Sequence, residues 1–224
     1  MFCLYFDPKT KKVHSLNGSG RSPSALTRDV VFASIPKEEI TKHGNRIPSL
    51  HAHAVTVPGA AAGWCDTVAE FGSGKITLEQ ILAPAIALAE AGFPVGAISA
   101  MLWRNGVDIL KNGGPNSGEL LLGVEGRAPG EGDYIRLPGL ANTFRELAKN
   151  GKKGFYEGKV AEAIVKAVQE KGGVLTLDDL KRHAEIGSEE MEPINLEVPW
   201  GSEEYGMKRL WECKSVSVVN NSNM

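Results

Sequence analysis

Phe2 to Phe6 is an unbroken aromatic and aliphatic run, Asp7-Pro8-Lys9-Thr10-Lys11-Lys12 supplies turn chemistry, and apolar character resumes from Val13 to Leu16. This pattern predicts a β-hairpin whose first strand, apolar on both faces, suits a strand inside a layered sheet. Asn17 to Pro23 reads as a glycine-containing loop, and Ala25 to Pro48 is mixed and largely polar. The run AVTVPG from Ala54 predicts a strand stopped by Pro58-Gly59, followed by a helix from Ala60 to Phe71 with Gly72 closing it. Thr77-Leu78-Glu79-Gln80 matches a capping box. The helix it opens places Ile81, Pro84, Ala85, Leu88 and Ala89 in one apolar register, with a kink or break expected at Pro84. One helix is predicted over Val95 to Lys111, then an exposed loop over Asn112 to Glu131. Helices follow over Pro138 to Asn150, over Glu157 to Lys171 with Val160, Ile164 and Val168 in register, and over Leu177 to His183 behind the cap Thr176.

Composition narrows the function classes. With 25 Lys+Arg against 27 Asp+Glu the net charge is −2, which argues against a nucleic-acid or anionic-membrane binder. Apolar residues make up 42% of the 224 positions and charged ones 23%, the balance of an ordinary globular chain. The longest uncharged stretch, Ile47 to Cys65, carries prolines, glycines and two histidines and is no membrane helix. The few apolar residues after Met1 do not make a signal peptide, so cytoplasmic placement is the default expectation. Three widely spaced cysteines, Cys3, Cys65 and Cys213, argue against a disulfide framework or a zinc site.

Several motifs invite chemistry that their context does not support. Gly72-Ser73-Gly74-Lys75 fails the phosphate-loop pattern at Ala69 and Ile76 and reads as a helix end and turn. His51-Ala52-His53 places two imidazoles on one face of a strand, but with no third ligand at a suggestive spacing a structural or solvent-facing pair is favoured over a metal site. Cys65, without an assigned base, reads as a small buried apolar residue. No cofactor is implied. Gly18-Ser19-Gly20-Arg21 is different in kind, because a glycine-rich corner presenting one guanidinium has the donors to bind a carboxylate bidentately. On these residues alone a carboxylate clamp and a solvated loop arginine are both open.

The runs FCLYFDPKTKKVHSLNGSGRSPSAL, VTVPGAAAGW, SGKITLEQILAPAIALAEAGFPV and GDYIRLPGLANTFRELAKNGKKGFYEGKVAEAIVKAVQEKGGVLTLDDL, in this order, resemble the large subunit of the γ-glutamyltransferases, or glutathione hydrolases. The resemblance implies an α+β fold, the αββα layered sandwich of the N-terminal-nucleophile hydrolases, here incomplete. It also implies a proenzyme that cuts itself before a Thr, which then acts as nucleophile and, through its free amine, as base. The γ-glutamyl group of glutathione passes to that Thr and on to water or an amino acid. Arg21 falls where the family has the large-subunit Arg that binds the α-carboxylate of the γ-glutamyl moiety, with Ser22 where many members carry Glu.

Residues 1–184 are accordingly expected to be the large-subunit-like region, 185–213 a weakly family-like tail and 214–224 a divergent, disordered end. Tyr205 to Cys213 resembles a family strand, but the Pro-Pro-Asn-Gly-Gln-Gly continuation is absent, as is the glycine-rich lead-in before Met1. None of the eight threonines has the context of the catalytic one, so no catalytic residue is assigned. The expected protein is a truncated family chain, inactive alone, whose substrates are γ-glutamyl compounds such as glutathione and whose partner is a small subunit or a full-length homologue. The alternative is a noncatalytic interaction partner or regulator of such a homologue.

Overall fold

The computed structural model of the chain describes residues 1–114, 117–123, 125–197 and 209–212. In chain order the elements are β1 (Phe2–Asp7), β2 (Lys12–Asn17), α1 (Arg28–Ser34), α2 (Lys37–Lys42), α3 (Ala60–Phe71), α4 (Leu78–Ala91), β3 (Phe93–Pro94), α5 (Ala97–Asn105), α6 (Val107–Gly113), β4 (Tyr134–Ile135), α7 (Pro138–Asn150), α8 (Lys152–Tyr156), α9 (Gly158–Gln169), α10 (Leu177–Ile186), β5 (Glu189–Met191), β6 (Ile194–Glu197) and β7 (Arg209–Glu212). The fold is thus mixed α+β. It divides into two compact units, one of residues 1–73 with the described residues from Val174 onward, the other Gly74–Gly173.

In the first unit the expected hairpin is present as β1 and β2, antiparallel from Phe2↔Asn17 to Asp7↔Lys12. Its turn is tied by Asp7, which accepts from the Lys9 amide at 2.9 Å and from the Thr10 hydroxyl at 2.7 Å. Those two donors, Thr10 first, hold the Asp7 carboxyl below its usual range. Strand β5 joins β2 on its far side, Ser15↔Met191 to Asn17↔Glu189, giving the order β1-β2-β5. Tyr5 stacks on Phe71 of α3 with centroids 4.8 Å apart, which covers one face of the hairpin. The other face differs from the expectation of a strand buried on both sides. Phe2, Leu4 and Phe6 are 51%, 41% and 56% exposed. A separate pair, β6 with β7, runs antiparallel from Ile194↔Glu212 to Glu197↔Arg209.

One local expectation is corrected here. The AVTVPG run is no strand: Ala52–Ala54 is a single 3-10 turn and Val55 to Gly59 is irregular. Val57 donates its amide to Arg21 O at 3.0 Å, Pro58 has no N–H to give, and the neighbouring segment is a glycine corner with no ladder to offer. The polar stretch 25–48 holds two short helices, α1 capped by Thr27, whose hydroxyl accepts from the Val30 amide, and α2 beginning after Pro36.

The second unit is mostly helical. The capping box at Thr77 forms both reciprocal bonds with Gln80, at 3.2 and 2.9 Å. Of the kink or break expected at Pro84 the break is absent, since α4 runs as one helix through it, and it buries Leu82 and Ala89 while Ile81 and Leu88 face solvent. A proline removes one backbone bond, and packing of the helix against α7, with an ion pair from Glu90 to Arg145, outweighs that loss. Its core comprises Ala89, Val95, Ala100, Ile135, Leu137 and Ala141. The single helix expected over Val95 to Lys111 is two, because Gly106 closes α5 with bonds to Leu102 and Trp103 carbonyls and α6 starts afresh. The loop after α6 is only partly exposed: Ser117–Leu120 forms a 3-10 turn and Leu121 is buried. The helices α7 and α9 stand where the apolar period puts them, with Val168 buried and Val160 and Ile164 half-buried beside Ala161 and Val165. No helix among the described residues is long and apolar enough to cross a membrane. The divergent end 214–224, Cys213 and the residues Tyr205 to Lys208 lie outside the described residues.

Candidate functional site

The corner at Gly18 to Arg21 is built by backbone contact. Asn17 closes an Asx turn by accepting from the Ser19 amide at 3.0 Å. Gly20 lies directly on the Thr56-Val57 backbone, where a Cβ would stand 1.8 Å from Val57 O. Gly59 packs back onto the corner, its would-be Cβ 2.3 Å from Gly18 O. Arg21 O accepts from the Val57 amide, and the Ser24 amide donates to Asp179 Oδ1 at 2.8 Å, so the chain is anchored on both sides of the arginine.

The guanidinium is met by residues some 160 positions away. Helix α10 is capped by Thr176, and its Asp179 completes a second capping box. It continues three residues past the expected His183, to Ile186, and Gly187 ends it at φ +71° with its N–H on His183 O. That last turn presents two acceptors to Arg21 Nη1, the His183 Nδ1 at 3.0 Å and Gly187 O at 3.1 Å. Arginine only donates, so His183 Nδ1 accepts and its proton sits on Nε2. The carbonyl end of a helix also favours a cation. Nη2 donates to Glu189 Oε1 at 2.6 Å, a charge-assisted contact. Behind this arc the Ser188 amide donates to Asp66 Oδ2 of α3 at 2.8 Å. Three of the five guanidinium N–H groups are thereby engaged, with a carboxylate on one of them.

The predicted site residue Arg21 is therefore brought together with His183, Gly187, Glu189 and, through the backbone, Asp179, none of which the sequence singled out. The signals were faint. His183 was visible only as a helix end, and Glu189 only as one member of a glutamate-rich change in composition.

The other motifs resolve structurally. Gly72 caps α3, its amide on Val68 O. Cys65 is half-buried, not buried as expected, although it shares a face of α3 with the buried Ala61 and Ala62. His51 caps the 3-10 turn that contains His53, so the two do not share one face of a strand, and their rings are 4.8 Å apart. No group of three or more His, Cys, Asp or Glu converges among the described residues. His53 is 4% exposed and its Nε2 lies 2.8 Å from Ser34 Oγ. Ser34 gives its own proton to Val30 O, so His53 Nε2–H donates, leaving Nδ1 buried without a hydrogen-bond partner among the described residues. Burial, then the neighbouring His51, lowers the His53 pKa. Neutral His53 supports the fold at pH above about 6.5, its unfolded value, and that support is lost as pH falls below it. His53→Gln keeps an N–H donor without titrating. Its denaturation midpoint is expected to fall less than the parent's between pH 7 and pH 5, and parallel curves would refute the assignment.

The sequence model of the family described as Gamma-glutamyltranspeptidase matches residues 1–208. The glutathione hydrolase-like YwrD proenzyme of Bacillus subtilis is 33% identical over 184 residues, which cover 81% of this chain and 32% of that protein. The oxamate amidohydrolase proenzyme of Klebsiella pneumoniae is 35% identical over 133 residues, covering 58% of this chain and 25% of that one. The crystal structure of Helicobacter pylori gamma-glutamyltranspeptidase superposes with a TM-score of 0.76 at 24% identity, over 96% of this chain and 56% of that chain, a likeness of fold. The chain spans about a third or less of the length of these curated relatives. With its sequence matched to one family model over residues 1–208, the chain belongs to the gamma-glutamyltranspeptidase family.

Proposed function

We propose that this chain supplies the carboxylate-binding part of an active site that cleaves the γ-glutamyl bond of glutathione and related compounds, and that Arg21 is the residue that binds. The observation that carries this is the guanidinium itself, fixed along one edge by His183 and Gly187 and already holding a carboxylate at 2.6 Å. The relatives' names support the same chemistry. Glutathione and oxamate each combine an amide with a carboxylate, which a pinned arginine would orient.

Bond cleavage itself lies elsewhere. Thr10, Thr41, Thr67, Thr143 and Thr176 donate their hydroxyls to Asp7, to carbonyls four residues back or to Asp179, and Thr27 and Thr77 cap helices. Seven of the eight threonine hydroxyls in the sequence thus serve local structure, and none of the eight stands in the sequence context at which the family's proenzyme cuts itself to free a nucleophile's α-amine. Binding without a nucleophile, base and oxyanion donors does not lower the barrier. The chain alone is inactive, residues 1–184 act as a large-subunit-like region, and a small subunit or full-length homologue completes the αββα sandwich. The exposed Phe2, Leu4 and Phe6 face supports such a covering layer.

The test is an NMR titration of the purified chain with L-glutamate, run beside an assay of glutathione for released glutamate. Glutamate should shift the amides around Arg21, Arg21→Lys should weaken binding about tenfold as the bidentate fork is lost, and Arg21→Ala should abolish it. No glutamate should appear from glutathione. Undiminished binding by Arg21→Ala, or turnover by the chain alone, would overturn the proposal.

A further inference from the structure

We infer that Glu189 is the resident carboxylate of the Arg21 site and sets its selectivity, so that a ligand carboxylate reaches Arg21 only by displacing the Glu189 side chain. The inference rests on the proposed role of Arg21 as a carboxylate binder.

The partners of the guanidinium differ in how readily they can leave. His183 is buried and Gly187 O belongs to a buried helix end whose amide is tied to His183 O. The next amide, of Ser188, is tied to Asp66. These form a fixed wall. Glu189 is anchored through its backbone, opposite Asn17 in the β2–β5 ladder, but its side chain is 55% exposed. Rotating that side chain into water frees Nη2 without disturbing a backbone bond.

An ion pair this accessible is weak, so the closed form is favoured only modestly, by about two- to fivefold. Apparent affinity for a ligand falls by the fraction of molecules that are open. Glu189 spends a single oxygen on Arg21 among the contacts described, whereas an incoming carboxylate can use both. A neutral group has no charge with which to replace Glu189. The site thereby rejects neutral ligands and accepts those with a free carboxylate.

Glu190 provides the matched control. It is adjacent in sequence, removes the same charge when neutralised, and lies 3.6 Å from His14, with no contact to Arg21 among those described. L-Glutamate titrated into the full chain and followed by NMR should bind Glu189→Gln and Glu189→Ala about three- to sixfold more tightly than the parent, since the open fraction of the parent is about a third to a sixth. Glu190→Gln should bind as the parent does. Equal affinities for Glu189→Gln and Glu190→Gln, with binding still lost in Arg21→Ala, would overturn the inference and leave the role of Arg21 standing. Binding that survives Arg21→Ala, or is absent from every variant, would instead remove the role of Arg21 and this inference with it.

Discussion

Gly20→Ala is expected to lower the stability of the chain by about 3 kcal/mol, because the added methyl has nowhere to go. Its carbon would stand 1.8 Å from Val57 O and 2.6 Å from Thr56 Oγ1, and the first of these is backbone. Neither side can give way cheaply. The Val57 amide is bonded to Arg21 O, and Gly59 presses on the corner from the same segment. Separating the two strips of chain would break the hydrogen bond that fixes Arg21, so carboxylate binding should be lost along with stability. Gly96→Ala is the control: a methyl there meets nothing within 4 Å, and the residue has φ −77°. Thermal unfolding should show a fall in Tm of about 6–12 °C for Gly20→Ala and at most about 2–4 °C for Gly96→Ala, which loses only the preference for glycine at the N-cap of α5, given roughly 2–4 °C per kcal/mol for a chain of this size. A Tm for Gly20→Ala within 2 °C of the parent would show that the corner is pliable.

Much of the local structure was legible because it is decided locally. The β1–β2 hairpin, the cap at Thr77, the helix ended by Gly72 and the cap at Thr176 each rest on interactions spanning a few residues, and each is present. What failed depended on distant partners. Pro84 argues for a break only until packing against α7 is counted. Val55 to Val57 reads as a strand only until its neighbour proves to be a glycine corner. The weak apolar pattern of residues 25–48 concealed α1 and α2, whose helices are each under eight residues and held largely by their ends.

The site shows the same division. Arg21 could be read as a donor on a tight turn, yet its chemistry depends on acceptors 162, 166 and 168 positions later. No spacing rule connects them; the connection exists because β5 pairs with β2 and so carries the end of α10 to the corner. The wall of the site is therefore a property of the sheet order.

Asp179→Ala is expected to cost about 2–4 kcal/mol at pH 7, since one carboxylate both caps a helix and tethers the Arg21 loop. Asp179 Oδ2 accepts from the Thr176 amide at 3.0 Å and hydroxyl at 2.7 Å, while Oδ1 accepts from the Ser24 amide at 2.8 Å. Alanine leaves these donors without their acceptor in a largely buried place. The pH dependence identifies the cause. Burial by itself would raise the Asp179 pKa, but the Ser24 and Thr176 donors outweigh it and hold the carboxyl below 3.8. The stability this carboxylate contributes is present above the unfolded value and is lost as pH falls through the folded one. The gap between parent and Asp179→Ala should therefore stay constant from pH 7 to about 4.5 and narrow below about 3.8. Loss of neutral His53 below about pH 6.5, and of the ionised Asp7 and Asp133 carboxylates in acid, is common to both proteins and cancels in the difference. Denaturant unfolding across that range supplies the measurement, and a gap under about 1 kcal/mol at pH 7, or one that does not narrow in acid, would mean that the Ser24 tether contributes little. Because Ser24 and His183 both approach Arg21 through elements that Asp179 fixes, the same variant, at a temperature where it remains folded, should bind L-glutamate more weakly than the parent.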